Sequence, residues 1–266
     1  MGNISVSGLF VYPIKGARGI EVSRARVTPL GFEHDRRFLV VTPRGQFITQ
    51  REFPSLALLH TTIDGDALII QAPQHEPLKL PLRPTGTADR TVQVWGTRSA
   101  AVSLGQTAAE YLGTYLGTSV ELVFMPEDEG REVDPDYARN GEKVSFADGF
   151  PFLLTTEESL SDLNARLAEG VPMNRFRPNL VVRGSPAWSE DAWTKFALGD
   201  VVFQCAKPCA RCQVITIDQA TGVRGKDPLA TLSTFRARSN KTYFGWNLFV
   251  TGDGEIAVGD RVRLLA

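Results

Sequence analysis

Glycine and proline recur so often along this chain that most of its apolar stretches are cut to the length of a single strand. Helices of globular proteins need longer uninterrupted periodic runs, so the pattern predicts a mostly β protein with a few helices. The pair Arg37 to Val41 and Gln46 to Thr49 flanks Thr42-Pro43-Arg44-Gly45, whose proline second and glycine fourth suit a type I turn, and a hairpin is expected there. Further strands are expected at Ala25 to Thr28, Ala67 to Gln71, Thr91 to Trp95 and Val120 to Phe124. Helical spacing in this half is confined to Gln106 to Leu116.

Pro126 to Gly141 is acidic and lacks apolar periodicity, which marks it as a linker or surface loop and divides the chain into residues 1–125 and 126–266. Beyond it, Thr155-Thr156-Glu157-Glu158 has the form of a capping box. It opens a helix with Leu160, Leu163 and Leu167 on one face. Asp227-Pro228 opens a second, through Leu229, Leu232 and Phe235. Leu180 to Arg183, Thr194 to Ala197, Val201 to Cys205, Val214 to Ile217, Tyr243 to Thr251 and Arg261 to Leu264 read as strands. Gly199-Asp200 and Gly259-Asp260 make tight turns before two of them.

Charge and chain start narrow the function classes. With 29 Lys and Arg against 30 Asp and Glu there is no basic field to draw in nucleic acid. The first residues carry neither a basic leader nor an apolar run of membrane-spanning length, so a soluble cytoplasmic protein without a membrane anchor is expected.

All three cysteines fall in Cys205-Ala-Lys-Pro-Cys209-Ala-Arg-Cys212, a spacing that admits three chemistries. An open-site iron–sulfur cluster would use all three, but in radical enzymes that triad sits early, ahead of a long β/α array. Structural zinc needs a fourth ligand, and the histidines (34, 60 and 75) all lie in the other half. The third reading is one privileged thiolate. Cys205 lies in an apolar strand and reads as core, whereas Cys212 stands beside Arg211, a cation able to partner a thiolate that acts as nucleophile or soft-metal ligand. Cys209 could pair with Cys212 as a redox CxxC.

Several motifs together resemble those of MOSC-domain proteins, specifically the group containing the mitochondrial amidoxime-reducing component and its bacterial relatives. They are Val11-Tyr12-Pro13-Ile14-Lys15-Gly16, Gly31 through Asp35-Arg36-Arg37 to Val40, and Asn174-Arg175-Phe176-Arg177-Pro178-Asn179. Ala210-Arg211-Cys212 with Asp218 to Gly222, Gly245 to Val250 and Gly259-Asp260-Arg261-Val262 complete the set. The resemblance implies an N-terminal β-barrel-like domain packed on a MOSC β-barrel, with molybdenum cofactor (Mo-molybdopterin) between them. It implies Cys212 as metal ligand and catalytic residue, and cofactor contacts from Lys15, Gly16, Arg36, Thr155, Thr156, Arg177 and Arg211. Arginine forks suit the cofactor's phosphate.

The implied activity is reduction of small N-hydroxylated substrates. Electrons would come from a separate flavin, haem or iron–sulfur protein, since the sequence holds no four-cysteine ferredoxin module. The alternative is a sulfur or cofactor carrier in which Cys212 holds a persulfide or the metal without turnover.

Overall fold

A computed structural model describes residues 3–133, 135–138 and 141–265. The fold is mostly β, with three α-helices among the described residues. Its largest sheet has nine strands. Eight run in the order Ile20–Val22, Ser5–Val11, Leu180–Arg183, Phe152–Thr156, Lys241–Thr251, Val201–Arg211, Lys195–Leu198 and Val262–Leu265, and Ala237–Arg238 pairs beside Lys241–Thr251. The first strand of the chain thus lies antiparallel to Leu180–Arg183. Similarly, Arg24–Thr28 pairs with Gly254–Ala257 near the other end. The two halves of the sequence therefore share sheets and a core in which Val6, Leu9 and Val27 pack with Phe152, Phe196, Phe203 and Leu248.

The single parallel pair in this sheet, Phe152–Thr156 with Leu180–Arg183, needs a crossover connection between its strands, and a helix supplies it. That helix, Glu157–Asn164, starts where Thr156 Oγ1 accepts the Ser159 amide, with Glu157 and Glu158 in the positive first turn. The cap is one residue later than a Thr155 to Glu158 box would have it.

Residues between the shared strands build the other half. Phe38–Val41, Glu121–Phe124, Thr97–Ser103 and Arg90–Val94 form one sheet, and His60–Asp64, Ala67–Gln71 and Leu78–Pro81 a meander. The helix Gly105–Leu116 buries Ala108 and Leu112 against them and ends at Gly117, whose φ of 68° closes the helix through a bond to Gly113 O.

Three sequence expectations change. The Thr42 to Gly45 turn forms, with Gly45 N donating to Thr42 O at 2.8 Å. However, Phe38–Val41 pairs with Glu121–Phe124, and Phe47 makes only an isolated bridge to Val41. Val214 to Ile217 is not a strand: Gln213–Thr216 is a 3-10 turn, while the preceding strand runs on to Arg211 through two register shifts that accommodate Pro208. The acidic segment is partly woven in, because Arg131–Glu132 pairs with Lys143–Val144. Arg131 is buried and donates to the carbonyls of Ser145, Ala147 and Asp148.

Phe203 is fully buried, stacked on Phe196 at 5.2 Å and edge-on to Phe152 at 5.4 Å. Phe203→Ala removes a ring from the shared core, and urea unfolding is expected to show a loss of about 3–5 kcal/mol. A loss under about 1 kcal/mol would mean that these rings do not tie the halves together.

Candidate functional site

The seam between the halves begins where the chain leaves Ser5–Val11. Tyr12 N donates to Asp35 Oδ1 at 2.8 Å, and Arg36 N donates to Tyr12 O at 2.7 Å. Asp35 is buried and pairs with Arg36 Nη1, which also reaches Asn179 Oδ1 at 2.9 Å, while Arg36 Nη2 donates to Arg177 O at 3.3 Å. Guanidiniums of Arg36 and Arg177 lie on the Tyr12 ring at 4.3 and 4.4 Å. Burial pushes the Tyr12 phenol up to about 12, although both cations pull the other way. Burial likewise lowers Arg177 to about 10. Arg36 and Arg177 both adopt left-handed φ, 49° and 54°, a strain that bulky residues hold only where the surroundings enforce it.

Lys15 follows from the same segment. Its backbone N–H bonds Phe38 O at 2.9 Å, and its Nζ donates to Phe146 O at 2.8 Å and Asp148 Oδ1 at 2.6 Å. Burial lowers the amine to about 8, with Asp148 opposing. Desolvation acts to raise Asp148, but the Lys15 charge and hydrogen bond, a bond from Trp95 and the Arg36 charge outweigh it and hold the carboxyl well below its usual range. The Asp148 side chain is nevertheless 74 % accessible, so it faces open space within the cleft. Gly16, at φ 87°, lines the same cleft and its carbonyl accepts from Gln50 Nε2 at 2.6 Å.

The cysteines separate by environment. Cys205 packs against the shared core, and burial pushes its thiol up to about 12. Arg211 does not serve Cys212: its Nη1 meets Cys209 Sγ at 2.9 Å and its Nη2 donates to Phe176 O at 2.7 Å. The cation at Cys212 is Arg51, whose Nη2 lies 3.2 Å from Sγ. Cys212 stands between the long strand and the 3-10 turn, so its sulfur emerges where sheet pairing stops. Among the described residues no three Cys, His, Asp or Glu side chains converge, so zinc or iron–sulfur ligation by a cysteine triad has no geometric support.

Lys15, Gly16, Arg36, Arg177, Arg211 and Cys212 line one cleft that opens to solvent. Thr155 and Thr156 do not line it. Both are fully buried: Thr155 Oγ1 faces Met173 Sδ at 3.3 Å, and Thr156 caps the helix Glu157–Asn164. Sequence reasoning missed Arg51, Trp95, Asp148 and Asn179, which also line the cleft. Asn179 sat inside a quoted motif and was passed over. Arg51 lay just past an expected strand and Asp148 in an unpatterned loop, where periodicity carries no signal.

Five cationic side chains and one carboxylate line the cleft, and Arg211 Nε is buried there without a hydrogen-bond partner. Such a wall suits a polyanion, and the Cys212 thiol suits a soft metal carried by that anion. The residues present therefore fit a phosphate-bearing metal cofactor.

The sequence matches the MOSC N-terminal beta barrel domain over residues 3–119 and the MOSC domain over residues 141–263. It is 34% identical over 279 residues to "Mitochondrial amidoxime-reducing component 1" of Homo sapiens, covering 98% of this chain and 83% of that one. The Mus musculus protein of the same name is 34% identical, at 98% and 82% coverage. "Mitochondrial amidoxime reducing component 2" of Rattus norvegicus is 33% identical, at 97% and 82%. Among the described residues no helix is long and apolar enough to cross a membrane.

Lys15 gives a pH test. Its amine falls from 10.5 to about 8 on folding, so between those values the unfolded chain binds more protons and stability rises with pH. Urea unfolding of wild type and Lys15→Met across this window is expected to show wild type gaining on the variant, the gain complete above 10.5 and absent below about 8. A difference independent of pH would mean that Lys15 is not buried as a cation.

Proposed function

Because the chain belongs to the MOSC family, in the two-domain group of the amidoxime-reducing components, we propose that it is a molybdenum-cofactor-dependent reductase of small N-hydroxylated compounds. The observation that carries this reading is the Cys212 thiol, paired with Arg51 in a cleft that Cys209 also lines and that cations from both halves of the chain wall. When bound, the cofactor supplies the two electrons that, with two protons, convert an N–OH group to N–H and water.

Each cleft residue has a part in that reading. Cys212 would ligate the metal through its sulfur. Arg51 places a cation against that sulfur, 3.2 Å from Nη2. Lys15, Arg36, Arg177 and Arg211, with the backbone at Gly16, would hold the pterin and its phosphate, since guanidinium forks and an ammonium match phosphate oxygens. Asp35 and Asn179 keep the Arg36 fork aimed by occupying Nη1. The carbonyl bonds of Arg131 fix the loop that carries Asp148.

In this reading electrons arrive from a separate protein bearing flavin, haem or an iron–sulfur centre. The domains of this reading are residues 1–125 and 126–266, with the first strands crossing into the second unit's sheet. A cytoplasmic location is part of the reading, although the relatives carry mitochondrial names.

Protein expressed in a host that makes the cofactor should contain near one molybdenum and one pterin per chain, and should reduce benzamidoxime to benzamidine with a reduced viologen. Cys212→Ala should lower turnover by at least about a hundredfold, more than loss of an outer partner would. Sulfane sulfur on Cys212 without molybdenum would overturn the reductase and favour a sulfur carrier. Arg36→Met is expected to retain about 10–100-fold less cofactor after gel filtration in phosphate buffer, with unchanged retention contradicting its assignment.

A further inference from the structure

At the cleft mouth the N-terminal half presents one large exposed aromatic side chain. Trp95 is 44% exposed, yet it lines the same cleft as Cys212. It sits in the two-residue turn between Arg90–Val94 and Thr97–Ser103, where Val94 pairs with Thr97. The φ of Trp95 is 53°, in the left-handed region, whereas Gly96 beside it lies outside that region. A hairpin turn with one left-handed central residue favours glycine there, so this chain places its bulkiest residue in the position that suits it least.

The ring is also held. Its Nε1 donates to Asp148 Oδ1 at 3.3 Å, Phe47 meets it edge-on at 5.0 Å, and the Arg51 guanidinium lies over it at 4.9 Å. Arg51 continues to the Cys212 sulfur. A fixed indole with much of its surface open, one cation away from the candidate metal ligand, contributes little to the core and much to whatever enters the cleft.

We propose that Trp95 selects the substrate, as an aromatic platform on which N-hydroxylated compounds bearing a planar aryl group stack before the N–OH group reaches Cys212. The proposal rests on the reductase reading above and names the substrate class that site prefers. Asp148, held beside the indole and open to the cleft, offers an acceptor for N–H groups conjugated to the N–OH. Small alkyl analogues meet the same acceptor but gain nothing from the ring.

The test compares benzamidoxime with acetamidoxime, which differ only in phenyl against methyl, using cofactor-loaded protein and a reduced viologen. In Trp95→Ala the ratio of kcat/KM for benzamidoxime to that for acetamidoxime should fall by about tenfold, mostly through KM, the scale of one stacking contact with its buried area. Trp95→Phe should keep the ratio within about threefold of wild type, since a ring remains. If Trp95 acts only by bracing Arg51, both substrates lose kcat alike and the ratio stays constant, which overturns the proposal.

A fluorescence titration stands apart from turnover. Benzamidoxime should quench the emission of wild type, one of whose four tryptophans would be covered, and Trp95→Phe should abolish that quenching. Quenching unaffected by Trp95→Phe would also overturn it. Should wild type reduce neither compound, the reductase reading fails, and the titration still decides whether Trp95 binds aryl ligands.

Discussion

Burying guanidinium charge in the seam between two halves of a chain is possible here because of one carboxylate. Asp35 is fully buried, pairs with Arg36 and accepts the Tyr12 amide, so it fixes both the cation and the strand exit that surrounds it. Taking an ion out of water costs several kcal/mol even after relaxation, and a paired, hydrogen-bonded fork is the arrangement that offsets it. Arg177, by contrast, has the Tyr12 ring and a long contact to Gln219 Oε1 at 3.5 Å, but no carboxylate of its own. The cleft is thus built with unspent positive charge, and an anionic occupant would relieve that imbalance. The left-handed backbones of Arg36 and Arg177 are consistent with side chains aimed at a ligand rather than at the best local geometry.

The fold delivers these groups by interleaving the sequence. Strand Ser5–Val11 runs antiparallel to Leu180–Arg183, so the residues that follow the first, Tyr12 to Gly16, meet those that precede the second, Arg177 to Asn179. Sulfur arrives differently. The strand Val201–Arg211 follows Lys241–Thr251 for its whole length, shifting register twice, and releases Cys212 at its end. Arg51 comes from the turn ahead of Pro54–Leu58 and Trp95 from the turn between Arg90–Val94 and Thr97–Ser103, so no single sheet contains the site. The aromatic core of Phe152, Phe196 and Phe203 keeps the strands that carry it in register.

Much of this was legible in the residues. Glycine and proline spacing gave the β class, and strands such as Ala67–Gln71 fell where alternation placed them. The motif residues Lys15, Gly16, Arg36, Arg177, Arg211 and Cys212 do meet in one cleft, although they are drawn from four separate stretches. What periodicity and motif could not place has physical reasons. Thr155 and Thr156 carry hydroxyls that look available in sequence, but a helix cap and a buried strand consume them. Arg211 is next to Cys212 in sequence, yet neighbours on an extended strand point to opposite faces, and its fork reaches Cys209 instead. Arg51 is distant in sequence and close in space, a relation created by tertiary pairing alone.

The claim on which the account turns is that Cys212 sulfur itself bonds the metal. X-ray absorption at the molybdenum edge, on wild type and Cys212→Ser loaded in the same host, measures this directly. The account predicts one fewer sulfur neighbour in the variant, with the two dithiolene sulfurs of the pterin retained. An identical sulfur count in both proteins would contradict it.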